Sequence, residues 1–490
     1  MAQVVDFLNS IIWSPVLVYL LLGVGLYFSI VTRFMQVRHF RHMIKLLFHG
    51  QESEQGVSSF QAFAMAVSGR VGTGNIAGVA TAIALGGPGA LFWMWVIAFL
   101  GAGSAFVEAA LAQIYKDEID NLYRGGPSYY IEKGLGMKWY AVLFAISSVI
   151  AMGILLPGVQ ANSITAAVNN AFGISPYVTG GVIVVFLSII IFGGVHRIGK
   201  AAEILVPFMA GAYILIALII IVVNIGQMPA VLALVFKSAF GVDAAFGGIL
   251  GMAISWGVKR GIYSNEAGQG TGPMAAGAAE VSHPAKQGLV QAFSVYVDTL
   301  FVCSATGFMI LLTGMYNVSN PAGGYIAENI PGIAIGPAYT QMAVDSFIPG
   351  FGSQFVAIAL FLFAFTTLMA YYYYAETCIL YLFKSGTHHK VVVNFMRVFL
   401  LCAIYYGAVR TASLAWGLGD IGVGLMAWLN VIAIVLLRKP ALQSLTDYEE
   451  QLAQGIDPQY DSTKLGVENA DFWAGGYKHH PDYQKHHHNI

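Results

Sequence analysis

Long apolar runs constrain the fold of this chain more than any other feature of its sequence. Two of them, 182–192 and 213–223, are almost entirely aliphatic and aromatic and lie within longer apolar stretches. Such stretches reach about 20 residues, the length with which an α-helix crosses a hydrocarbon core of roughly 30 Å. Because lipid offers no hydrogen-bond partners to the backbone, these segments are expected to be helical. The sequence therefore predicts an all-α protein that lies in the lipid bilayer.

The composition excludes several other classes of protein. Hydrophobic residues make up 57% of the chain and charged residues 10%, against roughly 25% charged in ordinary soluble domains. The formal net charge of −1 gives no reason to expect a nucleic-acid partner. Cys303, Cys378 and Cys402 lie in apolar runs without the spacing of a disulfide framework or metal site. No phosphate loop, zinc-protease motif or nucleophile elbow is present, so we expect neither an enzyme nor a bound cofactor.

Counting the apolar runs gives about eleven membrane-spanning helices. The polar breaks between the runs set their approximate limits. The predicted spans are 11–34, 57–84, 89–115, 139–171, 175–195, 198–225, 245–278, 287–314, 350–383, 391–409 and 412–438.

Basic residues concentrate in every second loop between these spans, as they do in loops that stay in the cytoplasm. The loops after odd-numbered spans carry Arg33, Arg38, Arg41, Lys45, Lys116, Arg124, Lys133, Lys138, Arg197, Lys200, Lys286, Lys384, Lys390, Arg438 and Lys439. The opposite loops carry only Lys237 and Arg410. The alternation predicts an N-terminus outside the cell and a C-terminus in the cytoplasm.

The chain ends in a polar segment, residues 441–490, which we expect to be a cytoplasmic tail. Several histidines lie near its end: His479, His480, His486, His487 and His488. Histidine-rich tracts can bind metal ions, but a polar, solvated tail is the simpler interpretation.

Glycine interrupts two of the predicted spans at corresponding places in the chain. The second span contains a glycine-rich run at 68–78, and the seventh contains another at 255–270. Each includes Asn-x-Ala-Gly, at 75–78 and 265–268. Once the first span is set aside, these two spans open successive blocks of five. Such a pair points to an inverted-repeat transporter with its binding site near the membrane midplane.

This organisation divides the chain into four parts. The predicted parts are an extra N-terminal helix with a basic loop, 1–50, a first five-helix repeat, 51–240, a second repeat, 241–440, and the tail. Unwound backbone within a bilayer is tolerated only where it lines a cavity or is buried in protein. Its free N–H groups can hold a carboxylate and its free carbonyls a cation, which suits a zwitterionic substrate. The alternative is that the glycines only allow close helix packing.

Polar side chains within the apolar runs are further candidates for the site. Asp298 lies in a strongly apolar setting, where a carboxylate needs a partner or a cation. Thr366 and Thr367 offer two hydroxyl groups to a hard monovalent cation, or bond back to the preceding helical turn. Gln160 lies in the fourth span and could reach a substrate.

Charged residues near the two interruptions suggest gates. Arg70, Lys259 and Arg260 either form gating ion pairs with carboxylates or extend towards the membrane surface. Glu108 and Glu376 resemble Asp298 in needing a partner or a cation, or they simply accept hydrogen bonds from the interrupted backbone, which we expect.

Two stretches of the sequence are specific enough to identify a family. They are 69–82, Gly-Arg-Val-Gly-Thr-Gly-Asn-Ile-Ala-Gly-Val-Ala-Thr-Ala, and 261–273, Gly-Ile-Tyr-Ser-Asn-Glu-Ala-Gly-Gln-Gly-Thr-Gly-Pro. Both strongly resemble the alanine or glycine:cation symporter family. The resemblance runs from about residue 8 to 440. It implies a LeuT-type core, an inverted repeat of five plus five helices, preceded here by one extra span. It also implies sodium- or proton-driven uptake of alanine and glycine across the bacterial cytoplasmic (inner) membrane.

The same resemblance implies roles for individual residues. Gly72, Thr73 and Gly74 match the first unwound segment, which meets the substrate carboxylate, and Asn75 matches the polar residue that serves a cation. Asp298 falls near the position that often presents an amide to that cation.

Further positions follow from the LeuT-type plan. Thr366 and Thr367 correspond to the hydroxyl groups of a second cation site. Ser255, Trp256 and Gly257 are expected to lie in the second interruption and, with Gln160, to bind the substrate. There Trp256, together with Tyr371, would restrict the pocket to small side chains.

The sequence thus predicts a sodium-coupled symporter for alanine and glycine that works by alternating access in the lipid bilayer. One alternative is a proton-coupled carrier that uses Asp298. Another, from a different class, is an amino-acid channel or sensor without concentrating activity. An oligomeric channel would show a repeated filter or charged ring, whereas this chain has an internal twofold design.

Overall fold

A computed structural model describes residues 2–48, 53, 55–383 and 388–476. The described chain is mostly helical, as predicted. Its first half contains the helices Ala2–Ile12, Pro15–Val31, Met35–Arg38, Phe40–Leu47, Ser59–Arg70, Gly74–Gly86, Gly89–Ile114, Pro127–Leu135, Lys138–Phe172, Pro176–Ile191, Gly194–Val223 and Ile225–Ala239. Its second half contains Gly247–Ile249, Leu250–Asn265, Gly272–Gly277, Pro284–Thr313, Pro337–Asp345, Gly352–Leu382, His388–Ala408, Ala412–Leu436, Arg438–Ala453 and Asp471–Trp473.

Two short hairpins depart from a purely helical fold. Strand Asp117–Ile119 pairs antiparallel with Leu122–Arg124, and Asn317–Ser319 pairs with Tyr325–Glu328. Both hairpins lie in connections between long helices. The prediction of an all-α chain is therefore corrected to a mostly helical one.

Seven helices of the described residues are long and apolar enough to cross a membrane: Gly89–Ile114, Lys138–Phe172, Gly194–Val223, Pro284–Thr313, Gly352–Leu382, Lys390–Ala408 and Ala412–Leu436. The pair Ala2–Ile12 and Pro15–Val31, bent by 42°, is an eighth candidate. The chain is thus a multi-pass membrane protein. The remaining predicted spans coincide with helices that are shorter or interrupted.

The two interruptions define two broken helices. The first broken helix consists of Ser59–Arg70 and Gly74–Gly86, separated by residues 71–73. The second consists of Leu250–Asn265 and Gly272–Gly277. Its interruption, residues 266–271, includes the left-handed residue Glu266, with φ of 56°.

The second interruption lies farther along the chain than the sequence predicted. Ser255, Trp256 and Gly257 belong to the continuous helix Leu250–Asn265, so their placement in the interruption was wrong. The reason is that Gly257 has a packing role. A Cβ atom there would lie 2.5 Å from the carbonyl oxygen of Ala90 on the neighbouring helix.

The C-terminal part of the described chain packs against one face of the helix assembly, whereas contacts of the N-terminal helix lie at the opposite face. On one, here called the tail face, the last described part of the chain is packed against the helix ends. Trp473 is buried and donates to the carbonyl of Gln113 at 2.8 Å, and the Tyr460 N–H donates to Ser282 at 2.9 Å. On the opposite face, the Trp13 indole donates to the carbonyl of Asp420 at 2.8 Å.

The tail is thus more ordered than its polarity suggested. It forms the helix Arg438–Ala453, and it buries Tyr448, Tyr460 and Trp473. The histidine cluster at 479–488 lies outside the described residues.

Candidate functional site

The first broken helix exposes backbone groups inside the protein at residues 71–73. The Gly72 N–H donates to Asn75 Oδ1 at 2.8 Å, and the Thr73 N–H donates to Gln160 Oε1 at 3.1 Å. A Cβ atom at Gly72 would overlap the Thr367 hydroxyl group and lie 3.0 Å from Gln160 Oε1. Only glycine allows this close approach, so the interruption is a built feature of the site.

Gln160 connects this backbone to a third helix. Its amide nitrogen lies 3.3 Å from the hydroxyl oxygen of Tyr371. Both side chains are almost fully buried. The helices Lys138–Phe172 and Gly352–Leu382 therefore meet the first broken helix at its interruption.

Asp298 lies between the two broken helices. Asn75 of the first donates to its Oδ1 at 2.6 Å, and Ser264 of the second donates to the same oxygen at 3.1 Å. Thr299 donates to Oδ2 at 2.7 Å. No lysine or arginine among the described residues forms an ion pair with this buried carboxylate. Its negative charge is held by hydrogen bonds alone, which leaves it able to bind a cation.

Backbone geometry supports this position of Asp298. Residues 297–303 form a π-helical segment within Pro284–Thr313, and residues 74–78 form another in the first broken helix. Such single-turn segments occur frequently at functional sites. Here they bring Asn75 and Asp298 into contact.

A second group of oxygen atoms surrounds the Thr367 hydroxyl group. It lies 2.9 Å from the carbonyl oxygen of Ser68, 3.4 Å from that of Val71 and 3.0 Å from that of Phe363. Thr366 donates to the same Phe363 carbonyl at 2.9 Å, so both hydroxyl groups bond back to the preceding helical turn, which is the alternative offered from the sequence. The Ser68 and Val71 carbonyls lie at the end of the half-helix Ser59–Arg70, and transporters coordinate sodium with carbonyl groups in such places.

Ion pairs lie on the side of the site opposite the tail face. Arg260 donates two hydrogen bonds of 2.9 Å to the Asp420 carboxylate, and Lys259 lies 2.8 Å from it. The Arg260 guanidinium also lies 4.5 Å from the centre of the Trp416 ring. The ion-pair interpretation is thus the one observed for Lys259 and Arg260. Trp256 lines the cavity outside this pair.

Arg70 behaves differently. It is buried and donates to Ser294, but no ion pair joins it to a carboxylate of the described residues. Neither interpretation offered for Arg70 from the sequence is what the structure shows.

The two glutamates also differ from one another. Glu108 accepts a hydrogen bond of 3.2 Å from the Gly268 N–H within the second interruption, as expected. Glu376 pairs instead with Arg124, at 3.4 Å, and Arg397, at 3.6 Å. Only Glu108 supports the interrupted backbone.

Most of the predicted site residues lie together. The structure groups Gly72, Thr73, Gly74, Asn75, Gln160, Asp298, Thr366, Thr367 and Tyr371 around the two interruptions. It places Ser255, Trp256 and Gly257 elsewhere on the second broken helix. Ser264, Thr299 and the Ser68 carbonyl were missed. Ser264 directly precedes the repeated Asn-x-Ala-Gly motif, which is the signal that could have identified it.

Comparison with known proteins identifies the family of this chain. The model of the sodium:alanine symporter family matches residues 1–462. A Bacillus subtilis protein, YrbD, named as a candidate sodium/proton-dependent alanine carrier, is 65% identical over 98% of this chain and 99% of its own. The sodium/proton-dependent alanine carrier protein of Bacillus sp. (strain PS3) is 55% identical over 89% of this chain and 98% of its own.

A third relative carries a different substrate in its name. GlnT of Bacillus subtilis, named as a probable sodium/glutamine symporter, is 45% identical over 94% of this chain and 93% of its own. The family match covers both interruptions and every residue of the central group. The chain belongs to the sodium:alanine symporter family.

Proposed function

We propose that this protein is a sodium-coupled symporter that imports alanine and glycine by alternating access. The observation that carries the proposal is the Asp298 carboxylate, held by Asn75 of one broken helix and Ser264 of the other, with no basic partner among the described residues. A cation bound there would contact both halves of the transporter. The names of the relatives at 65% and 55% identity, both alanine carriers, support alanine as the substrate.

The architecture that we propose is a LeuT-type inverted repeat with about eleven spans. The repeats are residues 51–240 and 241–440, each beginning with a broken helix, and residues 1–50 add the extra first span. The basic loops support a cytoplasmic tail face and an N-terminus outside the bacterial inner membrane.

The proposal includes two cation sites. Asn75 and Asp298 would hold one sodium ion, whose positive charge offsets the buried carboxylate. Thr366 and Thr367, with the carbonyl groups around them, would hold another. Both sites include backbone or side chains of the first broken helix, so sodium would stabilise its unwound conformation.

The substrate would lie beside these ions. The N–H groups of Thr73 and Gly74 suit its carboxylate, because they lie where the first broken helix is unwound. Gln160 Oε1 now accepts from the Thr73 N–H, and a carboxylate would replace it as acceptor. Tyr371, which contacts Gln160, would border the same space.

Ser255, Trp256 and Gly257, which lie in the continuous helix Leu250–Asn265, are not part of the central substrate site in this proposal. Ser255 and Trp256 line the cavity outside the Arg260–Asp420 ion pair, so substrate would meet them on approach. Gly257 would act only through close packing. The ion pair would form the outer gate.

Coupling would arise because substrate and sodium stabilise the same occluded arrangement. A ligand shifts a conformational equilibrium only by its differential affinity for the two states. Sodium bound between the broken helices would create the substrate site, and the substrate carboxylate would in turn favour the ion.

The test is uptake of labelled alanine into proteoliposomes under an inward sodium gradient, a proton gradient, or neither. We expect accumulation above the external concentration only with the sodium gradient, and competition by glycine. Accumulation with the proton gradient alone would favour the proton-coupled carrier. Equilibration without accumulation would favour a channel.

A further inference from the structure

A buried cluster between the central site and the tail face is not used in the proposed cation or substrate sites. Arg70 ends the first segment of the first broken helix, and Glu266 begins the interruption of the second. Both side chains are almost completely buried, Arg70 2% exposed and Glu266 1%. Opposite charges at this depth normally pair, because an unpaired buried ion is costly.

Yet both side chains have polar atoms without a hydrogen-bond partner among the described residues. Neither oxygen of the Glu266 carboxylate has a hydrogen-bond donor in bonding geometry among the described residues. Arg70 contacts Ser294 through Nη1, but its Nε and Nη2 have no acceptor there. The hydroxyl group of Tyr374 is also without a hydrogen-bond partner among the described residues.

Glycines allow the polar side chains of the cluster to lie close to the backbone. A Cβ atom at Gly69 would lie 2.6 Å from the Tyr374 hydroxyl oxygen and 3.3 Å from Glu266 Oε2. At Gly272, a Cβ atom would overlap Nη2 of Arg70. The unpartnered atoms thus face positions from which side chains are excluded.

Glu108 shows that burial alone does not cause this pattern. It is as deeply buried as Glu266, yet Gly268 and Asn430 donate to its two oxygens at 3.2 and 2.7 Å. Buried polar groups in proteins are nearly always hydrogen-bonded, so unsatisfied ones point to water, an ion or a ligand.

We propose that Glu266 and Arg70 form a second binding subsite for the zwitterion of an α-amino acid, on the tail-face side of the central site. Glu266, with the Tyr374 hydroxyl group, receives the ammonium group, and the free guanidinium nitrogens of Arg70 receive the carboxylate. A simple cation would be opposed by Arg70 and a simple anion by Glu266, whereas a zwitterion complements both. The inference rests on the proposed function and names a step in it, the departure of substrate towards the tail face.

The test is equilibrium binding of labelled alanine to the purified full-length protein in saturating sodium. We expect two alanine molecules per chain in the wild type and one in Glu266→Gln, with the affinity of the remaining site within about twofold of the wild-type value, since its contacts are unchanged. Tyr374→Phe removes a single hydroxyl group and should weaken only the second binding event, by roughly fivefold for one lost hydrogen bond.

Glu376→Gln is the control, because it neutralises a buried carboxylate that pairs with Arg124 and Arg397 and contacts neither interruption. It should retain two alanine molecules per chain, and a loss equal to that of Glu266→Gln would overturn the assignment. Binding of one alanine per chain in the wild type would also overturn the second subsite. The cluster would then hold water, and the proposed function would be unaffected. No alanine binding in the wild type would instead remove the proposed function itself.

Discussion

The hydroxyl group of Thr367 lies 2.9 Å from the carbonyl oxygen of Ser68, although the two residues are separated by 299 positions in the chain. This contact joins the first broken helix to the helix Gly352–Leu382 at the place where the backbone becomes unwound. If the carbonyl and the hydroxyl bind sodium, the hydroxyl is needed for sodium affinity.

Thr367→Ala should therefore raise the sodium concentration needed for half-maximal alanine uptake by about tenfold, as expected for the loss of one ligand worth roughly 1.4 kcal/mol. Thr367→Ser keeps the hydroxyl group and should remain within about twofold, because it makes the same contacts. The measurement is sodium-dependent uptake in proteoliposomes. Equal sodium requirements in the wild type and Thr367→Ala would assign the hydroxyl a structural role only.

The close approach at Gly72 gives a second prediction. Gly72→Ala places a Cβ atom against the Thr367 hydroxyl group and Gln160, so alanine binding should be lost while the protein still inserts and folds. Gly211→Ala is a suitable control, because no atom lies within 4 Å of the added Cβ position. The check is alanine binding to purified protein of each variant. Normal binding by Gly72→Ala would exclude this segment from the substrate site.

The Arg260–Asp420 ion pair gives a third prediction. Asp420→Asn leaves Arg260 and Lys259 buried without their carboxylate, which should cost roughly 3–5 kcal/mol and open the outer cavity. Lys259→Gln keeps the bidentate pair and should cost much less. Thermal unfolding measures the stability of each variant, and thiol labelling of a cysteine placed at Ser255 measures access. Unchanged labelling in Asp420→Asn would show that the pair is not a gate.

The fourth prediction concerns attachment of the tail. His283 is buried between Tyr448 and Tyr460, and its Nε2 lies 3.2 Å from Asp447. Its Nδ1 accepts from the Ala285 N–H at 3.1 Å, so the docked ring is neutral. Burial lowers the pKa of His283 below its usual range.

A released tail would expose His283, whose pKa would return to about 6.5. Protons then bind the released form more strongly, so docking stability is complete above that pH and declines as the pH falls below it. Limited proteolysis of the tail should accelerate between pH 7.5 and pH 5.5 in the wild type. His283→Gln, which cannot take up a proton, should show a flatter dependence. Identical pH profiles would remove His283 as the titrating group.

The first interruption could be predicted from sequence because three glycines within 69–74 surround the point where the helix ends. The second was misplaced because glycine serves two purposes in the same helix. At Gly257 it permits contact with Ala90, whereas at Gly268 and Gly270 it adopts positive φ angles of 79° and 91°. A sequence does not distinguish these purposes, since each depends on the neighbouring helix or on the local backbone angles.

The side-chain partners were predictable only in part. An intramembrane carboxylate such as Asp298 can be recognised from sequence, because burying a charge in an apolar segment is energetically costly and such residues usually have a function. Ser264 and Thr299 do not, because serine and threonine are common in membrane helices and their hydroxyl groups often bond to the preceding turn. The docking of the tail was not predicted, because the segment is polar overall and its buried aromatic residues, Tyr448, Tyr460 and Trp473, are widely spaced in the sequence.

The most direct test of sodium symport is the reciprocity of the two ligands. If both stabilise one arrangement, sodium must raise the affinity for alanine by the same factor by which alanine raises the affinity for sodium. The measurement is equilibrium binding of each labelled ligand with and without the other, in the wild type and in Asp298→Asn. We predict equal factors of about tenfold or more in the wild type, a coupling of at least roughly 1.4 kcal/mol, and much smaller but still equal factors in Asp298→Asn. An alanine affinity that does not change with sodium in the wild type would contradict the account.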